Sequence, residues 1–127
     1  MFSTNSTHLK ESLWLLSNLA ASGAAPSKII ISNSVIQRVL TLANSYNIDV
    51  QHEALWVLST LVSSCEKKDA YTLFTLDDHV LIPLFLKGLK VRDSKLVQNI
   101  LHSLKDLLKL DEHFQIQGMS NSVYRAL

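Results

Sequence analysis

Glycine, proline and cysteine are scarce in this 127-residue chain, with three, two and one of each. Three glycines leave little room for a glycine-rich phosphate loop. With so few turn-formers, and with Leu, Ser and Lys abundant, the chain reads as all-α. The single Cys65 cannot form an internal disulfide, which fits a reducing cytoplasm or nucleus. Net charge is only +1, so no global field steers the chain toward nucleic acid or an acidic membrane. No apolar run approaches the roughly 18 residues of a membrane span. The opening residues lack the positive region and apolar core of a secretory signal. The five histidines show no His-Glu-x-x-His spacing and Cys65 has no partner thiol, so no metal or other cofactor is expected. Ser17, Ser59 and Ser103 lack an identifiable base or a nucleophile-elbow motif, and the chain is expected not to be an enzyme.

What the chain does have is apolar content, 47% against 18% charged residues, enough for a packed domain and not for a disordered one. It also has one stretch twice. Glu11-Ser12-Leu13-Trp14-Leu15-Leu16-Ser17-Asn18-Leu19 is matched by Glu53-Ala54-Leu55-Trp56-Val57-Leu58-Ser59-Thr60-Leu61. The only two tryptophans, Trp14 and Trp56, stand 42 residues apart. A period near 40 with helical patterning indicates a stacked helical repeat.

Glu11, Trp14 and Asn18 fall at i, i+3 and i+7, so they share one helix face, and Glu53, Trp56 and Thr60 repeat it. Leu13, Leu16 and Leu19, then Ala54, Leu58 and Leu61, form a separate stripe expected to face a core. Stacking the two helices would turn the Glu/Trp/amide stripe into a ladder. Spacing alone is equally compatible with core tryptophans. The paired Glu and Asn/Thr on the same face favour the ladder.

Along the chain, Ser6 or Thr7 is expected to cap a helix to about Ala21. Pro26 suits the first turn of a short helix from Ser27 to about Ser32. Ile29, Ile30 and Ile31 alone would suit a strand, but helical patterns flank them. Asn33 or Ser34 caps the next helix, to about Ser45, with Val35, Ile36, Val39, Leu40 and Leu42 inward. Asp49 caps the second tryptophan helix, about Val50 to Ser64. Lys68 to about Thr75 is short, with Tyr71, Leu73 and Phe74 inward. Asp77 or Asp78 caps about His79 to Val91, with Val80, Leu81, Leu84, Leu86 and Leu89 inward and Pro83 tolerable near its start. Ser94 caps a long helix to about Leu110, with Leu96, Ile100, Leu101, Leu104, Leu107 and Leu108 inward. The resulting division is a partial repeat at 7–21, full repeats at 26–65 and 67–110, and a tail at 111–127 expected to be partly ordered, with Phe114, Met119 and Tyr124 as the residues able to pack back. In this register His102 stands where Trp56 stood and Asp106 where Thr60 stood. The step of 46 residues implies a small insertion in the loops around 76–94.

Three segments carry a resemblance: Lys10 to Asn18, Glu53 to Thr60, and Asp93-Ser94-Lys95-Leu96-Val97-Gln98. Together they resemble the armadillo repeats of importin-alpha (karyopherin-alpha), over about residues 8–114 and matching repeats seven to nine. Asn121 to Leu127 is faintly similar to the start of the tenth repeat. The resemblance implies an armadillo-type right-handed superhelical solenoid of one partial plus two full three-helix repeats. It implies an adaptor fragment that binds basic peptides of the nuclear-localisation type, with cytoplasm and nucleus as its location and importin-beta-type receptors involved only indirectly. The chain departs from the family in Ser32-Asn33 and Asp77-Asp78, where glycine is usual, and in Thr60, where asparagine is usual. The basic importin-beta-binding segment and the repeats that form the principal signal site are missing. It therefore resembles a piece or a shortened descendant that keeps the secondary site.

The ladder has its own physical logic. Packed helices lie roughly 8–10 Å apart and an extended peptide rises about 3.3 Å per residue, so neighbouring indoles match peptide side chains two to three residues apart. Two indole faces can hold a Lys or Arg stem and attract its cation. Glu11 and Glu53 supply opposite charge, and Asn18, with Thr60 more weakly, can hold a peptide backbone. His102 and Asp106 complete the expected peptide-binding set. The alternative is a scaffold or self-assembly module docking proteins through exposed solenoid ends. No membrane or nucleic-acid partner is expected, since Lys67-Lys68 and Lys87 to Lys95 make only a modest basic side.

Overall fold

The structure, a computed structural model, describes residues 5–116, without the side chains of Asp111 and residues 113–116. It contains seven helices and no strand among the described residues, as an all-α chain should. They are α1 (Ser6–Ala21), α2 (Ala24–Ser32), α3 (Val35–Leu42), α4 (Ile48–Ser64), α5 (Lys67–His79), α6 (Leu81–Gly88) and α7 (Ser94–Ile116).

Four of the seven are capped by an Asn or Asp side chain; Asn33 is one of the two residues expected there, and Asn5, Asn47 and Asp93 precede the residue favoured from sequence. Asn5 Oδ1 accepts from the Thr7 and His8 amides at 2.9 and 3.3 Å. Asn33 Oδ1 accepts from the Val35 amide at 3.0 Å, while Ser34 makes no cap bond. Asn47 Oδ1 accepts from Asp49 and Val50 at 3.0 and 3.2 Å. Asp93 Oδ1 accepts from Lys95 and Leu96 at 3.1 and 3.2 Å. Ser6, Thr7, Asp49 and Ser94 are thus inside their helices rather than capping them. Each such cap stabilises by about 1 kcal/mol.

Other boundaries shift for local reasons. Gly23, at φ 148°, lets α2 begin at Ala24 rather than Ser27, and Pro26 still lies in its first turn. The isoleucine run is helical: Ile30 and Ile31 are buried while Ile29 is 66% exposed. The helix α5 breaks at Leu76, and Asp77, Asp78 and His79 follow at φ 48°, 57° and 66°. Asp77 and Asp78 therefore form a left-handed turn instead of capping α6, which starts only at Leu81. With the Gln37 amide turned so that its nitrogen faces the carboxylate, it donates to Asp77 at 2.7 Å. The His79 ring packs edge-on to Phe74 with centroids 4.8 Å apart. The expected stop of α7 near Leu110 is also corrected: the helix runs to Ile116. Met119 and Tyr124 lie outside the described residues, as does the Phe114 side chain.

The core sits where α4 meets its neighbours. Its largest contacts are with α1 and with α7, and the shorter helices pack against this trio. Gly88 lets α6 close on them: a Cβ there would stand 2.6 Å from Ile100 Cδ1. Burial along the three long helices follows a common register. Leu13, Ser17 and Ala20 of α1 are buried, as are Leu55, Ser59 and Val62, 42 residues later in α4. Val50, Ala54, Val57, Leu58 and Leu61 of α4 are buried, as are Leu96, Ile100, Ser103, Leu104 and Leu107, 46 residues later in α7. α4 is therefore buried on both faces, and α1 and α7 on one each.

Hydrogen bonds tell the two faces apart. Asn99 Nδ2 of α7 donates to Ser59 Oγ at 2.8 Å, and Ser103 Oγ donates to the Ser59 carbonyl at 3.1 Å. The Leu55/Ser59/Val62 face of α4 thus meets α7. Its Val50/Ala54/Leu61 face is left for α1. Two residues expected in the core, Leu19 and Leu101, are instead 45% and 51% exposed. They occupy the faces of α1 and α7 that no described helix covers. Sequence also passed over Ile82 and Phe85, both fully buried in α6.

Candidate functional site

A third stripe on each long helix carries the residues singled out from sequence. On α1, Glu11 and Asn18 are exposed and the Trp14 indole is 60% exposed. On α4, Glu53, Trp56 and Thr60 are half-buried, and Trp56 leans on the core. On α7, His102 is exposed and Asp106 half-buried. The structure brings His102 Nε2 within 3.4 Å of Asp106 Oδ2, one helical turn on. Such a surface pair contributes little to stability, but it gives Asp106 a partner of its own. The Asn18 amide and the Thr60 hydroxyl make no hydrogen bond among the described residues.

Each tryptophan is anchored through its backbone. Ser17 Oγ donates to the Trp14 carbonyl at 2.7 Å, and Ser59 Oγ donates to the Trp56 carbonyl at 3.0 Å. A buried serine satisfied within its own turn brings neighbouring helices close without an orphan polar group. The repeated serine is thus explained by packing and needs no catalytic role.

The acidic stripe is uneven. Burial, opposed by Lys10 and reinforced by Asp49, holds the Glu53 carboxyl above its ordinary value. Lys10 itself pairs with Asp49 at 3.8 Å across the α1–α4 contact. In the third row the residue in register with Glu53 is Asn99, which sequence reading missed. Its signal was present: Asn99 stands 46 residues after Glu53, the step that relates His102 to Trp56. The stripe therefore reads Glu11, Glu53, Asn99, and the charge ends after two rows.

A cleft of about 300 Å³ opens among the end of α4, the start of α5 and α7, lined by Val62, Cys65, Lys67, Asp106 and Lys109 among others. It touches the row only at Asp106. Burial, with Asp69 adding to it, pushes the Cys65 thiol up to about 12, so it is protonated at neutral pH and unsuited to nucleophilic work. Among the described residues no group of three or more His, Cys, Asp and Glu could hold a metal ion. None of their helices is long and apolar enough to cross a membrane.

No protein family matches the chain, and no curated protein matches it.

Proposed function

We propose that the chain is an armadillo-type right-handed superhelical solenoid of the importin-alpha kind, and that it acts as an adaptor fragment. Its ligand is a short Lys/Arg-rich segment of the nuclear-localisation type, held extended across α1, α4 and α7, for nuclear protein import. One observation carries this reading: Trp14 and Trp56 occupy matching positions on two helices that pack together, and neither ring is sealed in the core. A cationic stem laid beside Trp14 would find an indole face and the acids Glu11 and Glu53. Asn18 and Thr60 offer unpaired polar groups to the peptide backbone. Titration of a Lys/Arg-rich peptide against tryptophan fluorescence tests the reading. Saturable change in the native chain, weakened in Trp14→Ala and Trp56→Ala, is the expected result. No response at millimolar peptide overturns it.

A second reading has its own support. Leu15, Leu19 and Leu101 leave apolar area bare on the outer long helices, as uncapped repeats do. On this reading the chain is a scaffold that docks proteins through the ends of the helix row.

A further inference from the structure

The three long helices define one interface twice. In both, a leading helix presents Leu-x3-Ser-x2-aliphatic and a following helix covers it. Leu55, Ser59 and Val62 of α4 lie on the face that meets α7 through the Asn99 and Ser103 hydrogen bonds, and Leu13, Ser17 and Ala20 are buried at the matching positions of α1, which packs on α4. Carrying the register one step further in each direction identifies two open half-interfaces. The face of α4 left for α1 (Val50, Ala54, Val57, Leu61) corresponds in α1 to His8, Ser12, Leu15 and Leu19. In α4 these positions are fully buried, whereas Leu15 and Leu19 are 56% and 45% exposed. The face of α4 that meets α7 corresponds in α7 to Leu101, Lys105 and Leu108. Leu101 is 51% exposed, Lys105 is exposed and Leu108 half-buried.

The two halves are charge-matched at the position where the internal interface is polar. Within the chain, Asn99 of the following helix donates to Ser59 of the leading helix at 2.8 Å. In the open half-interfaces the counterpart of Ser59 is Lys105, and the counterpart of Asn99 is Glu11. An amide–hydroxyl pair is thus replaced by a lysine and a glutamate, one at each end of the row. Around them Leu101 and Leu108 correspond to Leu55 and Val62, and Leu15 and Leu19 to Val57 and Leu61.

We infer that the chain associates with copies of itself head to tail, α7 of one copy packing on α1 of the next, with Lys105 of the first paired to Glu11 of the second. This rests on the end-docking reading and not on the peptide site. The lysine stem lies over the bare leucines and its ammonium reaches the carboxylate at the rim. Both complementary halves, the lysine with its leucines and the glutamate with its leucines, are carried by one chain, and this self-complementarity makes a second copy the occupant. The contact uses different surfaces on the two partners, so it propagates into open chains unless its rotation closes a ring. It also sets His102 and Asp106 of one copy beside the Glu11 and Trp14 row of the next.

Sedimentation of the whole chain over a range of concentrations tests this. Mass should rise with concentration in the native chain. Lys105→Glu and Glu11→Lys each set like charges opposite one another and should raise the apparent dissociation constant about tenfold or more. An equimolar mixture of the two variants restores a complementary pair at both kinds of junction and should recover association. Leu15→Asp, at an exposed position, should keep its helical circular dichroism and lose the higher-mass species. A native chain that stays monomeric at submillimolar concentration overturns the proposal. So do charge variants whose mixture associates no better than either alone. A monomer that still binds Lys/Arg-rich peptide separates this failure from failure of the peptide reading.

Discussion

Asn99 Nδ2 and Ser59 Oγ meet at 2.8 Å across the α4–α7 contact. The same serine hydroxyl donates to the Trp56 carbonyl one turn back. Removing the amide in Asn99→Ala should cost about 1 kcal/mol of unfolding free energy, the usual net worth of such a bond. Ser59→Leu should cost about 1–3 kcal/mol, because the serine is fully buried between packed helices. Urea unfolding monitored by circular dichroism measures both.

The two tryptophans should separate binding from stability. Trp14 is mostly exposed, so Trp14→Ala should weaken a Lys/Arg-rich peptide by about 0.5–2 kcal/mol, the range of a cation–π contact, with little change in Tm. Trp56 also packs on the core. Trp56→Ala should weaken the peptide and lower Tm together. Calorimetric titration and thermal melts of the two variants read the difference.

Glu53 gives the peptide site a pH dependence. Its carboxyl is raised by burial, while a bound cation favours the ionised form. Affinity for a basic peptide should fall as pH drops through that raised value, and Glu53→Gln should be weaker and flatter with pH. Stability moves the opposite way. A carboxyl whose folded value exceeds its unfolded one stabilises the fold fully below the unfolded value of about 4.3. That contribution is lost as pH rises through the folded value. At pH 7 Glu53→Gln should therefore be at least as stable as the native chain, in contrast to its weaker binding.

Much of this arrangement was legible in the sequence. The duplicated Glu-x2-Trp segment marks two helices, and the 42- and 46-residue steps bring their buried positions into register in the structure. Less legible were the helix starts. Asn5, Asn47 and Asp93 each precede a residue that is itself a good cap, and composition does not say which side chain reaches the amides. Leu19 and Leu101 read as core because a leucine on a helical stripe carries no record of whether a neighbour covers it. Only tertiary placement makes them ends. Asn99 was missed because the eye follows charge along the Glu11 and Glu53 row, and the amide breaks it.

Cys65 should prove an inert thiol. With its value pushed up to about 12, alkylation by iodoacetamide at pH 8 should be far slower in the folded chain than in urea. The raised value also favours the fold below about pH 8.5, the ordinary thiol value, and that contribution fades as pH climbs toward 12. Loss of stability between these limits, reduced in Cys65→Ala, is the expected melt profile.

Three consecutive non-glycine residues at positive φ strain the turn between α5 and α6. A left-handed residue with a Cβ costs roughly 1–2 kcal/mol, and glycine relieves it. Asp78→Gly should raise stability by up to about 1 kcal/mol, glycine's greater chain entropy offsetting part of the gain. Asp77→Gly should gain less, since it forfeits the Gln37 contact. Chemical denaturation of both variants compares them.

Covering α4 on both faces has a consequence for how the molecule comes apart. Amide protons in the middle of that helix are released only when everything unfolds, so their exchange reports the global free energy. The first helix is held from one side and can detach while the rest persists. Its amides should exchange through a cheaper, partial opening, and ageing or proteolytic damage should begin at that edge and travel inward.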